Sequence, residues 1–377
     1  MGDVADALDP VEFATRLLEL LDTTQTTTSY KFATLIALID EATETLAPGT
    51  STEVVLSGRK IGKRVVQLYW PHAEPFGADG DGNPAVLSQS SQNDVPAKLA
   101  KFRSEHGLRS REPIIDAEGV GTAWTDLERD LVSTIIRYPI TLLQKFGDGA
   151  SAVEDRFIYD FAWPGQVGNR QIELDNFDDS VRLRPGVAEM LVRLEPLLRP
   201  AIQMKWADFV AGKNRDQVDS KRLDEFLFGA ERIDLSRVYE PLLELQRGKC
   251  FYCTSRVNNR GHVDHFVPWT RHPTNVLSNL VVAHTTCNLK KRAALASLEH
   301  LDNWLGRVAE GESSRMALAQ IATDVGWHDD IARSIAVAQG RYLWLPPNAW
   351  LWQTGDEFVP FDEQRCRGLF ALATSTR

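Results

Sequence analysis

Two short pairs of metal-binding residue types constrain the fold of this chain more than any other feature. Cys250 and Cys253 form a CxxC pair, and His284 and Cys287 form an HxxC pair further along. In each pair the two ligands are separated by two residues, which is the spacing typical of a structural zinc site. The two pairs can meet if the chain between them forms a compact hairpin. We therefore expect these four residues to hold a Zn²⁺ ion that stabilises the fold. Because four protein ligands would fill the coordination shell of this ion, it would have no open position for a substrate and no catalytic role.

The same stretch is basic in an acidic chain. The whole sequence of 377 residues has a formal net charge of −10. The segment from position 247 to position 292, however, contains eight basic side chains and one acidic side chain, Asp264. The eight are Arg247, Lys249, Arg256, Arg260, Arg271, Lys290, Lys291 and Arg292. Such a local concentration of positive charge favours an anionic partner, even though the average composition argues against nucleic-acid binding.

Outside the basic stretch, hydrophobic periodicity predicts mainly helices. A strand is expected over Arg156–Trp163, with Ser180–Arg184 as its partner. The predicted helices before the cysteines cover 10–21, 29–46, 51–69, 95–106, 124–146, 185–211, 222–228 and 235–247. Those after the cysteines cover 294–309, 313–325 and 329–339, and an aromatic segment that alternates like a hairpin follows them.

These patterns predict an α+β protein in three parts. Residues 1–215 form a mainly helical region of one or two subdomains, and a polar linker follows at Gly212–Ser220. Residues 220–310 form the cysteine-bearing module. Residues 311–377 form a helical and aromatic extension packed on that module. The acidic N-terminus and the lack of a long apolar run predict a cytoplasmic protein with no membrane contact.

The residues between and after the metal-binding pairs closely resemble the HNH endonuclease family. The resemblance covers about 45 residues and follows the family's order of positions. It rests on Asp264-His265, Pro268, Asn279-Leu280, Cys287-Asn288 and Lys290. The resemblance implies a ββα-metal nuclease core, flanked here by a helical N-terminal region and a helical C-terminal extension.

The resemblance also implies a role for each residue of the site. His265 would be the general base, and its ordinary pKa near neutrality suits that task. Asp264 and Asn288 would hold a catalytic Mg²⁺ or another divalent cation, for which oxygen ligands are appropriate. Asn279 would orient the loop that bears His265 through backbone hydrogen bonds.

Several basic side chains are candidates for contact with the nucleic acid. Lys290, Lys291 and Arg292 follow Asn288 on the expected helix of the ββα unit, where phosphate contact is natural. The other candidates are Arg271 and His262. His262 precedes Asp264 by two residues and so shares its side of a strand.

The leading hypothesis is a metal-dependent endonuclease that hydrolyses DNA. A zinc-stabilised nucleic-acid-binding protein without catalysis is the first alternative, and an HNH nuclease that acts on RNA is the second. The N-terminal region is expected to control cleavage, to bind a regulatory protein or to self-associate. This architecture is similar to that of restriction or phage-defence effectors, which is an analogy at the level of fold alone.

Overall fold

The computed structural model describes residues 9–23, 27–46, 53–77, 84–91, 94–147, 152–165, 167–215, 218, 220–229, 233–258, 261–309 and 312–375. The chain divides into two compact units, Met1–Ile233 and Asp234–Arg377. Among the described residues, no helix combines the length and the apolar character needed to cross a membrane.

The first unit is built mainly from helices. Its helices are α1 (Pro10–Thr23), α2 (Tyr30–Thr45), α3 (Gly58–Tyr69), α4 (Val95–Glu105), α5 (Ile114–Glu118), α6 (Thr122–Ile135), α7 (Asn169–Ile172), α8 (Val187–Arg193), α9 (Glu195–Lys213) and α10 (Ser220–Phe228). Its strands are β1 (Val55–Ser57), β2 (Lys145–Phe146), β3 (Val153–Glu154), β4 (Tyr159–Phe161) and β5 (Ser180–Leu183). A 3₁₀ turn covers Pro71–Ala73 and a π turn covers Ile136–Ile140.

Helix α2 lies in the core of the first unit, because every side chain from Phe32 to Thr43 is buried. Asp40 is one of these residues and is fully enclosed. Its carboxylate accepts a 2.8 Å hydrogen bond from Arg64 on α3 and another from Arg199 on α9. A buried charge is tolerated only when it is paired, so these contacts tie three helices together.

The small sheet of the first unit confirms the predicted pairing of strands. Strand β5 lies between β1 and β4, and both pairs are antiparallel. Val181 is opposite Leu56 on one side and Phe161 on the other. All three of these side chains are buried, which fixes the register of the sheet.

The structure corrects three predicted helices in this unit. The helix expected over 51–69 begins only at Gly58, because residues 55–57 pair with β5 and the Ser57 side chain caps α3. The helix expected over 185–211 is two helices, α8 and α9. Pro196 starts a new helix because it has no N–H to continue the first one. The helix expected over 124–146 ends in the π turn that contains Pro139.

The second unit places a small sheet against helices. Its helices are α11 (Ser236–Leu245), α12 (Thr285–Lys291), α13 (Leu298–Val308), α14 (Glu312–Val325), α15 (Ile331–Tyr342) and α16 (Glu363–Ser375). Its strands are β6 (Gly261–His265), β7 (Leu280–His284), β8 (Trp350–Thr354) and β9 (Glu357–Pro360). A 3₁₀ turn at Leu277–Asn279 leads into β7.

Strands β6 and β7 and helix α12 form the ββα unit that the resemblance implies. The two strands are antiparallel, with Asp264 opposite Val281 and His265 opposite Leu280. Helix α12 follows β7 directly and packs against both strands. It ends where Arg292 adopts a positive φ of 51°, a conformation that turns the chain sharply.

The C-terminal extension packs on the ββα unit. The Trp304 ring on α13 stacks on Phe266, just after β6, with ring centroids 4.8 Å apart. Trp352 on β8 exchanges backbone hydrogen bonds with Leu295 and Ser297. Helix α10, which was expected to begin the cysteine-bearing module, packs against α9 in the first unit.

Candidate active site and metal centre

The four predicted zinc ligands lie together. Cys250 and Cys253 lie in the turn that follows α11, His284 ends β7, and Cys287 lies in the first turn of α12. One donor atom from each residue lies within 4.8 Å of all the others. Cys253 Sγ and His284 Nδ1 are 3.2 Å apart. This set of three sulfurs and one imidazole can hold a metal ion such as Zn²⁺.

The local backbone orients these ligands. His284 Nε2 donates a 3.0 Å hydrogen bond to the Arg256 carbonyl, which leaves Nδ1 as the coordinating nitrogen. The backbone N–H of His284 points at Cys250 Sγ, 3.3 Å away. An N–H donor at this position stabilises a thiolate.

The charges within the cluster also fit a cation. Burial would raise the pKa of Cys253, but hydrogen bonds from the Ser255 backbone and from His284 lower it to about 7. Burial raises the pKa of Cys287 to about 12, and the sulfurs of Cys250 and Cys253 add to the effect. Three crowded thiols therefore ionise together only when a positive ion balances their charge.

Asp264 is held by two donors on one of its oxygens. Tyr252 donates a 2.6 Å hydrogen bond to Oδ2, and Lys291 Nζ lies 3.0 Å from the same atom. Burial and the neighbouring Asp264 raise the pKa of Tyr252 well above its usual value, so its hydroxyl remains a donor. Within the described contacts, Oδ1 of Asp264 accepts no hydrogen bond and remains available to a cation.

His265 is buried beside Asp264 and has one ring hydrogen bond. Its Nε2 lies 2.8 Å from Oδ1 of Asn275. Burial lowers the pKa of His265, and the Asn275 contact and Asp264 oppose that effect only in part. The imidazole is therefore neutral near pH 7. The Trp269 ring is close to it, with centroids 5.3 Å apart.

Asn279 binds the backbone of the segment that follows His265. Its Oδ1 accepts a 2.9 Å hydrogen bond from the Val267 N–H, and its Nδ2 donates one of 3.2 Å to the Val267 carbonyl. The Asn279 carbonyl also accepts a 2.8 Å hydrogen bond from the Phe266 N–H. The chain just after His265 is thus fixed by one side chain. Asn288, the second expected oxygen ligand, is half-buried on α12.

The structure corrects the expectation for Lys291. It was predicted to contact nucleic acid, yet it is only 1% exposed. Its ammonium donates to the His265 carbonyl at 2.8 Å in addition to its pairing with Asp264. Lys291 follows Cys287 by four residues, so both lie on the helix face that is turned inward. That spacing was the signal in the sequence that could have placed it correctly.

The other candidates for nucleic-acid contact remain at the surface. Lys290 is exposed and pairs with Asp356 at 2.6 Å in the turn between β8 and β9. Arg271 is half-buried and donates to the Ala293 carbonyl. Arg292 and His262 are exposed. Arg260, counted in the basic stretch, lies outside the described residues.

Sequence reasoning missed three residues that contact the site. These are Tyr252, Asn275 and Asp356. Tyr252 lies inside the CxxC pair, where only the cysteines attract notice, and its ring packs edge-on against Trp352 at 5.1 Å. Asn275 and Asp356 reach the site from loops, whose paths no periodicity reveals.

Comparison with known proteins agrees with this geometry. Residues 250–293 match the family model described as HNH endonuclease. No curated protein and no solved structure matches the chain. The matched residues run from the first cysteine of the metal cluster through β6, β7 and α12. The second unit of this chain therefore contains an HNH endonuclease domain.

Proposed function

We propose that this protein is a metal-dependent endonuclease that hydrolyses phosphodiester bonds of DNA. The observation that carries the proposal is the pairing of two neighbouring residues on β6. His265 is a buried, neutral imidazole whose Nε2 is bound by Asn275. Asp264 beside it keeps one carboxylate oxygen clear of the Tyr252 and Lys291 donors. A base next to a cation ligand is what phosphodiester hydrolysis requires.

His265 acts as the general base in this proposal. With its hydrogen on Nε2, the imidazole has a lone pair on Nδ1 that accepts a proton from the attacking water. Asn279 keeps the following loop in place through Val267, so the imidazole has little freedom to leave its position. Fixing the base near its substrate contributes to the rate as directly as its basicity does.

Asp264 Oδ1 and the Asn288 side chain are the proposed ligands of the catalytic cation. Both are oxygen donors, and one or two protein ligands are usual for Mg²⁺ at a phosphate-processing site. The cation would supply positive charge against the phosphate and the leaving oxygen. Cys250, Cys253, His284 and Cys287, whose four donors lie within 4.8 Å of one another, are proposed to hold Zn²⁺ in a structural role only.

Lys290, Arg292 and Arg271 are proposed to contact the DNA backbone. Lys290 is already paired with a carboxylate, but both partners of this pair are more than half exposed, so the pair is weak. A phosphate can replace Asp356 at little cost. His262, exposed on the same strand as Asp264, is the remaining candidate.

The first unit is proposed to control cleavage, by itself or through a partner protein, as in a restriction or defence effector. Its sequence supports a separate role, because residues 1–233 have 37 acidic side chains against 26 basic ones. Such a surface repels the DNA backbone. DNA contacts would then be concentrated in the second unit.

The test is cleavage of supercoiled plasmid by the purified full chain with Mg²⁺, Mn²⁺ or Ni²⁺, with a parallel arm that contains EDTA. We expect nicked or linear DNA with at least one cation and none with EDTA. A structured RNA substrate in the same buffers distinguishes the RNA alternative. Tight binding to DNA without cleavage of either substrate under any cation would establish the non-catalytic alternative and overturn the proposal.

A further inference from the structure

We infer that Asn275 is a positioning residue that fixes His265 in the tautomer with hydrogen on Nε2, and that the turn between α14 and α15 holds Asn275 in place. The inference rests on the proposed function, since the tautomer matters only if His265 accepts a proton. Asn275 belongs neither to the zinc cluster nor to the proposed cation ligands. The inference also gives the C-terminal extension a role at the active site.

The hydrogen bond to the His265 ring determines its tautomer. A neutral imidazole carries its hydrogen on one nitrogen and a lone pair on the other, and the hydrogen bond at one nitrogen decides which is which. The contact of His265 Nε2 is with Oδ1 of Asn275, at 2.8 Å. An amide oxygen only accepts hydrogen bonds, so the hydrogen must be on Nε2. The lone pair is then on Nδ1.

Asn275 is itself held by a buried tryptophan. The indole Nε1 of Trp327 donates a 2.7 Å hydrogen bond to the Asn275 carbonyl. Trp327 is only 4% exposed, so this donor is itself fixed by packing. Residues 327–329 lie in the connection between α14 and α15, more than 30 residues beyond the matched family segment.

Two further hydrogen bonds join the same connection to the loop of Asn275. The Leu277 N–H donates to the His328 carbonyl at 2.9 Å, and the Ser278 N–H donates to Asp329 at 2.8 Å. Three consecutive residues of the extension thus bind the loop between Asn275 and Ser278. A loop held this way keeps its side chains in one geometry, as a positioning role requires.

Together the two asparagines of this loop constrain His265 from two directions. Asn279 binds the backbone two residues after His265, at Val267. Asn275 binds the ring itself. One residue sets where the imidazole lies, and the other sets which nitrogen carries the lone pair.

The test uses the full-length, zinc-loaded chain with ¹⁵N-labelled histidine, together with steady-state cleavage of DNA. The variants are Asn275→Ala, which removes the acceptor, Asn275→Asp, which keeps an oxygen at the same position, and Trp327→Phe, which removes only the indole donor. Asn303→Ala, at an exposed site on α13, is the matched control. The His265 signals are assigned by their loss in His265→Ala.

We expect wild type and the Asn303→Ala control to show His265 as a single tautomer protonated on Nε2. Asn275→Ala should show both tautomers. It should lose about 10- to 100-fold in kcat with KM for DNA unchanged, because the hydrogen bond that is lost is one to the proposed base. Asn275→Asp should recover most of the lost kcat. Trp327→Phe should show a smaller loss in the same direction.

The inference is overturned if wild-type His265 carries its hydrogen on Nδ1, or if Asn275→Ala leaves both the tautomer and kcat as in wild type. The first result is obtained on unmodified protein, so poor folding of a variant does not weaken the test. A wild-type chain that cleaves no nucleic acid would defeat the proposed function instead. The tautomer measurement would still decide what Asn275 does to His265.

Discussion

Lys291 Nζ lies 3.0 Å from Asp264 Oδ2, and the Lys291 side chain has no exposed surface. A basic residue that looks like a phosphate contact in the sequence is therefore part of the interior of the site. It joins α12 to β6 and shares its acceptor with Tyr252. Because both donors converge on Oδ2, the other carboxylate oxygen of Asp264 has no contact with either of them.

This geometry predicts that replacing Lys291 lowers the stability of the protein much more than replacing its neighbour Lys290. Lys291→Met should lower the free energy of unfolding by about 3–5 kcal/mol, because it removes the ammonium that balances the charge of the buried Asp264 carboxylate. Lys290→Met should change it by less than about 1 kcal/mol, since its pair with Asp356 is exposed. Urea unfolding of both variants measures the difference. Equal stabilities would contradict the buried pairing of Lys291.

Lys290 is instead expected to act on binding. Lys290→Met should weaken affinity for duplex DNA and reduce the slope of log affinity against log salt by about 1, the effect of one lost phosphate contact. Fluorescence anisotropy at several salt concentrations gives the slope. Asp356→Asn should have the opposite effect on affinity, because it frees the ammonium for phosphate. If neither variant changes binding, Lys290 is not at the DNA interface.

The cluster of Cys250, Cys253, His284 and Cys287, which we propose holds zinc, predicts a specific loss when one ligand is removed. Cys287→Ser should bind less than the roughly one zinc per chain expected for wild type and should melt at a lower temperature, because metal binding contributes directly to folding in such sites. Cys366→Ala is the control, since Cys366 is a buried cysteine outside the cluster. Elemental analysis and thermal unfolding test both. A stable, metal-free Cys287→Ser protein would refute the structural role of zinc.

The proposed cation ligands should respond to metal concentration, and the proposed base should not. Asp264→Ala and Asn288→Ala weaken the site for the cation, so part of their activity should return at high Mn²⁺. His265→Ala removes the proton acceptor, and no cation concentration replaces it. Cleavage rates across a Mn²⁺ titration separate the two classes. The same insensitivity in all three variants would show that these roles are wrongly assigned.

The site could be predicted from the sequence where chemistry and spacing coincide. The sequence identified four metal ligands because two pairs with the same chelating spacing are expected to bind one ion together. The structure brings the donor atoms of Cys250, Cys253, His284 and Cys287 together. Strand pairing around Val181 was predictable because alternation marks the buried face. These features depend on local sequence alone.

Contacts that cross long stretches of chain could not be predicted in this way. Trp327 binds the carbonyl of Asn275, and Trp352 packs on Tyr252, across 52 and 100 residues of sequence. Nothing in the sequence around either tryptophan indicates which residue it contacts. Lys291 can be buried because Asp264 and the His265 carbonyl bind its ammonium. A count of charges along the sequence cannot distinguish Lys291 from an exposed lysine. Tertiary packing, not propensity, decided these positions.

The charge distribution predicts how the two units differ towards DNA. A fragment covering residues 234–377 has 16 basic and 15 acidic side chains, whereas the first 233 residues are strongly acidic. The fragment should therefore bind duplex DNA more tightly than the full chain, with both affinities falling as salt rises. A fragment ending near Ala309 would lose Trp327 and Trp352 and should be unstable. Tighter binding by the full chain would mean that the first unit has its own DNA-binding surface.

The role of His265 as the general base is tested most directly by the rates of plasmid cleavage by wild type and by His265→Ala at matched zinc content and matched DNA affinity. The exposed His106→Ala in the first unit serves as the control. We expect His265→Ala to cleave about 10²- to 10⁴-fold more slowly while binding DNA as wild type does, and we expect the control to be unaffected. Cleavage by His265→Ala at the wild-type rate would contradict the role of His265 as the general base.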